Sequence, residues 1–203
     1  MNIALIGATG FIGQHLLTEA LARNHQVTAL VRNPAKLPAA AGLTSKAMDI
    51  HNAAQVTAAL AGQDAAIISV HHDGLDLQAL IDAVKASGVP RLLVVGGAGS
   101  LEVAPGVQLV DTPQFPAEWK AVALAAREFL NLLRAEKTLD WTYLSPSAFI
   151  EPGTRTGKFR LGTEQLLVNE QGESRISNQD FAVALIDELE NPAHSQQRFT
   201  VGY

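Results

Sequence analysis

The chain has 203 residues, 47% of them hydrophobic and 5% aromatic, with 15 Lys and Arg against 20 Asp and Glu and a formal net charge of -5. That length holds one domain with a full core and is short for two of ordinary size. Mild acidity with scattered cations leaves no electrostatic footprint for nucleic acid, and the absence of cysteine excludes disulfides, a thiolate nucleophile and Cys-ligated zinc. No apolar run approaches the ~18 residues of a membrane span. The start carries no basic stretch followed by a long apolar one, so the sequence reads as an untargeted cytoplasmic protein without a membrane partner.

Asn2 to Ile6 is an apolar, strand-compatible run that enters Gly7-Ala-Thr9-Gly10-Phe11-Ile12-Gly13. Glycines at this spacing suit a sharp strand-to-helix turn, in which backbone amides approach a pyrophosphate and the positive end of the new helix faces it. Ile12, Leu16 and Ala20, with Leu17 and Leu21, continue at helical spacing. A turn at Asn24-His25 leads into a second strand, Gln26 to Val31. At its end, where an NAD-preferring fold often carries an acidic residue for the ribose hydroxyl, stands Arg32. A guanidinium there suits a 2′-phosphate, with Lys36 as nearby support, which predicts NADP(H) over NAD(H).

Thr44 to Met48 reads as a third strand that delivers Asp49 and Ile50 to the adenine side, although Asp49 equally suits the start of a helix over 52–60. Ala65 to Val70 has the continuous apolar character of a buried parallel strand and ends in His71-His72-Asp73. Adjacent side chains on extended backbone point in opposite directions and no third ligand is well spaced, so these residues suit cofactor or substrate contact, or a polar loop, better than metal. A helix over 76–87 stops at Gly88 and Pro90. The fifth strand, Arg91 to Val95, opens into Gly96-Gly97-Ala98-Gly99-Ser100, a loop whose missing side chains would leave room for a flat ring. Residues 102–116 read as irregular. A long helix over 117–134 carries Val122, Ala126, Phe129 and Leu133 on one face, and a sixth strand spans 140–144. Residues 151–176 read as a small cap. Ser177 and Asp180 have capping-box spacing before another helix, and Arg198 to Val201 closes the chain as a strand.

The GATGFIG opening, the VVGGAGSL loop, the DWTYLSPSAFIEPG run and the ISNQDFAVALIDELE helix together resemble atypical short-chain dehydrogenase/reductase proteins. More narrowly, they resemble the NAD(P)H-binding group that contains proposed NADH-flavin reductases and biliverdin-IXβ/flavin reductase. The resemblance covers nearly the whole chain. It implies one Rossmann-like α/β domain over 1–203, a doubly wound parallel sheet in three layers, with the small cap beside the substrate. It also implies that Gly7, Thr9, Gly10, Phe11, Ile12 and Gly13 face the pyrophosphate and Arg32 the adenosine phosphate. Val70, His71, Gly96 and Gly97 would line the cofactor, and Pro146, Ser147, Ala148 and Phe149 would lie beside the nicotinamide. Ser100 matches the serine of that group's glycine-rich loop.

One departure bears on the chemistry. Most short-chain dehydrogenases use Tyr-x-x-x-Lys to protonate a carbonyl oxygen. Here Tyr143 is followed four residues later by Ser147, and Tyr203 is the other tyrosine. Trp119-Lys120 stands where the family motif would sit; Lys120 reads as a remnant of it, a substrate contact or a solvated side chain, and with Ser100 is the candidate for catalysis. A cofactor site without a tuned acid suits hydride transfer to free flavin, as substrate rather than bound group, or to a quinone or tetrapyrrole. A non-catalytic NADP(H) sensor and an enzyme of sugar-nucleotide epimerase or dehydratase type are the competing readings. The sequence leaves the oligomeric state open.

Overall fold

A computed structural model describes residues 1–203. β1 (Asn2–Ile6), β2 (Gln26–Val31), β3 (Leu43–Ala47), β4 (Ala65–Ile68), β5 (Arg91–Val95) and β8 (Asp140–Ser145) follow the expected strands closely. The helices between them are α1 (Gly13–Ala22), α2 (Ala53–Leu60), α3 (Leu77–Ser87) and α4 (Ala117–Ala135). α5 (Asn178–Glu190) and β12 (Gln197–Gly202) close the fold. Together with β10 (Arg160–Gly162), these strands form one sheet in the order β10-β12-β8-β5-β4-β1-β2-β3, parallel throughout except for β10.

Period-two alternation divides the core. Along β1, Ile3 and Leu5 face α1 and α5, whereas Ala4 and Ile6 face α2, α3 and α4. The two clusters hold 23 and 22 buried residues, so both faces of the sheet are covered and its strands read as nearly unbroken apolar runs. This is the doubly wound Rossmann-like arrangement. Caps start the helices where the sequence supplies them: the side chains of Asn52, Asp76 and Ser177 accept from the amides of Gln55, Ala79 and Asp180. Asn52, and not Asp49, therefore caps α2. On α4 the fully buried face is Ala123, Ala126, Phe129, Leu130 and Leu133; Val122 is only half-buried. No helix is long and apolar enough to cross a membrane.

Two stretches are more ordered than their composition suggests. Within 102–116, β6 (Glu102–Ala104) and β7 (Val107–Gln108) form a short hairpin. The stretch 151–176 is not a free-standing cap. β10 extends the main sheet through its antiparallel pairing with β12, and β9 (Phe149–Glu151) pairs in parallel with β11 (Arg175–Ser177). Between them, residues 152–158 form an exposed strap across α1 and α5. Arg155 grips the buried Glu19 of α1 through two hydrogen bonds of 2.8 Å.

The strap is also held by Asp180, which is fully buried in the first turn of α5. Its carboxylate accepts from the Thr156 amide and hydroxyl, the Gly157 amide and the Tyr203 hydroxyl, at 2.8, 2.6, 2.8 and 2.7 Å. Burial pushes this carboxyl upward, but the hydrogen bonds from Thr156, Gly157 and Tyr203 more than offset that and leave it below its ordinary value. Asp180→Ala orphans these donors together. A stability loss of about 2–4 kcal/mol is expected in urea unfolding, with faster proteolysis in 152–158.

Candidate functional site

Order along the sheet reverses direction between β1 and β4, which opens a crevice at the carboxyl ends of those strands. The turn from β1 into α1 lies there, and its shape is set by backbone contacts. Gly7 has φ +88° and donates its amide to Leu30 O at 3.1 Å; a Cβ at this position would lie 2.2 Å from Ser69 O. A Cβ on Gly13 would lie 2.1 Å from Gly7 O. Residues 7 and 13 therefore have to be glycine for the chain to turn and for α1 to seat. Gly10 differs, because a Cβ there would meet only Gly7 O at 3.2 Å and Ser69 O at 3.8 Å, and its backbone is exposed.

No side chain caps α1 and its first turn holds no acidic residue. The local bonds use the amides of Gly10, Gln14, His15 and Leu16, while those of Phe11, Ile12 and Gly13 donate to no backbone acceptor. Thr9 and Phe11 are exposed beside them. Unpaired amides at the positive end of a helix, with no carboxylate in competition, form a cradle that fits a pyrophosphate.

Beyond the turn, a cleft of ≈ 800 Å³ is lined by Leu30, Arg32, Lys46, Ala47, Met48, Asp49, Gln55, Ala58 and Ala59. Arg32 at the end of β2 and Lys46 on β3 are both exposed cations on this cleft. Lys36, expected to support Arg32, lies outside it on the turn 34–36, and Lys46 takes that place. Asp49 lines the cleft but has local duties as well: its amide donates to Gln55 Oε1 and its Oδ1 accepts from the His51 amide. Ile50 is half-buried against the core and does not line the cleft.

On the other side of the turn, Val70 is half-buried near Gly7 and His71 is exposed. His72 points inward, 3% exposed, edge-on to Phe129 at 4.9 Å, with Nε2 unpartnered. Desolvation, reinforced by nearby His71 and opposed by Asp73, pushes His72 down to about 4, so it is neutral at physiological pH.

The glycine loop after β5 corrects an expectation. Gly96, Gly97 and Gly99 do not leave space for a flat ring. A Cβ on Gly96 would fall 2.0 Å from the Tyr143 ring, one on Gly97 3.1 Å from Ala126 Cβ, and one on Gly99 2.8 Å from Ala123 Cβ. The missing side chains let Tyr143 and α4 pack beneath the loop. Ser100 is likewise turned inward: it is 3% exposed and its hydroxyl accepts from Arg198, so it is not presented to an acceptor. After β8, Pro146 and Ser147 are buried, and the Ser147 hydroxyl donates to Val201 O, away from the crevice. Ala148 and Phe149 are exposed, and Arg175 stacks over the Phe149 ring at 5.5 Å. Lys120 is exposed in the first turns of α4 beside Trp119.

A glycine turn feeding an uncapped helix at the switch point of an open parallel sheet defines a Rossmann-type dinucleotide-binding protein. A family profile described as NAD(P)H-binding matches residues 7–192, and the chain belongs to that family. The uncharacterized protein YwnB of Bacillus subtilis is 40% identical over 208 residues, spanning 99% of this chain and 98% of that protein. The crystal structure of a proposed epimerase from Bacteroides thetaiotaomicron superposes with a TM-score of 0.95 at 44% identity, covering 100% of this chain and 96% of that one. A proposed NADH-flavin reductase from Streptococcus pneumoniae superposes with a TM-score of 0.86 at 34% identity, covering 100% and 99%.

Neutral burial of His72 has a pH signature. Between its ordinary value of 6.5 and about 4, the unfolded chain takes up a proton that the folded chain refuses. Stability therefore falls as pH drops through that window, by on the order of 3 kcal/mol at its lower end, and is unaffected above it. His72→Leu should flatten the dependence of the urea midpoint on pH between 6.5 and 4 relative to wild type.

Proposed function

We propose that this protein is an NADPH-dependent reductase that delivers hydride to free flavin or a similar flat conjugated acceptor, a quinone or linear tetrapyrrole. The observation that carries this reading is the state of its two tyrosines. Tyr143 is fully buried, donates its hydroxyl to Ala126 O at 2.8 Å and accepts from the Gly97 amide at 3.2 Å. Desolvation pushes its phenol far above the ordinary value. The Tyr203 hydroxyl is committed to Asp180. Neither can protonate a carbonyl in the crevice, which counts equally against an epimerase or dehydratase built on that acid.

Bound NADPH would supply a hydride and solvent the accompanying proton, together reducing an oxidised flavin. The chain's own part is then to position and to exclude water. Three exposed aromatic side chains in the segments that follow β1, β5 and β8 suit that part. Phe11 is 47% exposed, Trp119 55% and Phe149 62%, one each from the dinucleotide turn, the start of α4 and the start of β9. Planar aromatic faces suit stacking on a flat conjugated ring. Likeness to the streptococcal protein supports a reductase, and the pair Arg32 and Lys46 on the adenosine-side cleft supports NADPH over NADH.

The deciding experiment is NADPH oxidation by the purified protein with FMN, riboflavin and a quinone as separate acceptors and NADH in parallel. Saturable turnover with NADPH is expected. Tight NADPH binding without turnover on any acceptor would replace the reductase with a dinucleotide sensor. Arg32→Asp should raise the Kd for NADPH at least about tenfold while changing that for NADH much less, and Lys46→Ala should act in the same direction. Equal losses for the two cofactors would remove the 2′-phosphate assignment.

A further inference from the structure

The glycine loop after β5 is held from below by two side chains that are register partners on neighbouring strands, Tyr143 on β8 and Arg198 on β12. Tyr143 occupies the space under Gly96 and bonds Gly97, which fixes the start of the loop. Arg198 fixes its end. Nη1 donates to Ser100 Oγ at 3.3 Å and Nη2 to Ser100 O at 3.4 Å.

The same guanidinium reaches two further segments. Nη1 also donates to Ser145 Oγ at 3.3 Å, at the last residue of β8, from which the chain enters Pro146 to Phe149. Nη2 pairs with the carboxylate of Glu164, which Arg134 of α4 also grips. Glu164 in turn accepts the Glu102 amide through its backbone oxygen at 2.8 Å, so the residues just after Ser100 are tied to the same point.

This arrangement is costly for a residue that merely packs. The Arg198 side chain is 1% exposed, its Nε has no partner, and its single carboxylate is shared with a second arginine. Its neighbours along the strand, Phe199 and Val201, fill the opposite face with apolar side chains. A guanidinium is kept where an aliphatic chain would pack, and what it adds is a fork of donors reaching three segments at once. Two of these, the loop at Ser100 and the end of β8, follow the carboxyl ends of β5 and β8, on the same side of the sheet as the dinucleotide turn after β1.

We propose that Arg198 is a positioning residue, which sets the wall of the crevice that receives the electron acceptor without touching either the acceptor or NADPH. The proposal rests on the reductase reading. It predicts a separation between the two ligands, since the phosphate cradle and the adenosine-side cleft lie on β1, β2 and β3, away from the tie.

The test compares wild type, Arg198→Met and Arg198→Lys by three readouts: NADPH Kd from fluorescence titration, KM and kcat with FMN, and amide hydrogen exchange over 97–102 in NADPH-saturated protein. Arg198→Met should raise the KM for FMN about tenfold or more, leave NADPH Kd within about twofold, and speed exchange at the Gly97, Leu101 and Glu102 amides. Arg198→Lys, which keeps the charge on Glu164, should recover part of both changes. Parallel shifts in NADPH Kd and FMN KM, or unchanged exchange over 97–102 in the Met variant, would overturn the proposal. Should Arg198→Met fail to fold, Ser100→Ala carries the test: a smaller rise in KM for FMN at unchanged NADPH Kd is expected, and no rise overturns it. Absence of turnover in wild type would instead sink the reductase reading alone, and the exchange measurement would still decide whether Arg198 sets the loop.

Discussion

The structure depends on one close approach of backbone to backbone. A carbonyl of β4's extension stands where a side chain on residue 7 would begin, and the carbonyl of residue 7 stands where one on residue 13 would begin. Those contacts let β1 and β4 lie side by side while α1 leaves from the gap between them. Direction along the sheet reverses at that point, so the strands after β3 are laid on the opposite side of β1. The crevice, the orientation of α1 and the exposure of its first amides all follow from the turn.

Much of this was legible in the sequence because its signals are local. Apolar runs such as those at 2–6, 26–31 and 91–95 mark strands buried on both faces, and glycine spacing marks the turn. What escaped was set by partners distant in the chain. Lys46 lies in an unremarkable Leu-Thr-Ser-Lys-Ala strand and comes beside Arg32 only through the register that pairs it with Leu30. The glycines at 96, 97 and 99 show which side chains are missing but not what fills the space, and Tyr143, Ala126 and Ala123 fill it from below. Ser100 read as a candidate for chemistry because nothing local announces a guanidinium contributed by a strand 98 residues later.

Ion pairs with one buried partner join several late segments to early ones. Arg155 closes on Glu19, and Arg91 of β5 meets Asp140 of β8 and Glu188 of α5 at 2.7 and 2.9 Å. Such pairs add little net stability over apolar packing, because desolvation offsets most of the attraction, yet separating one leaves an uncompensated buried charge. Here they join elements that hydrophobic packing alone would leave free to slide. The strap, the first residues of β5 and β8, and the loop held by Arg198 each involve one of them.

The tie at Arg198 also divides the crevice by order of synthesis. The glycine turn and the cleft beside Arg32 are lined by residues 2 to 59 and seated against β4 by the carbonyl of Ser69, all within the first 69 residues of the chain. The loop after β5 is tied only when the final strand docks beside β8 and brings its guanidinium under a segment made almost a hundred residues earlier. Contacts of such long sequence separation form late, since their loop-closure entropy must be met first. The residues that line the dinucleotide side are therefore synthesised and paired well before the strand that ties the loop at Ser100, while the apolar face of α1 waits for α5 to cover it.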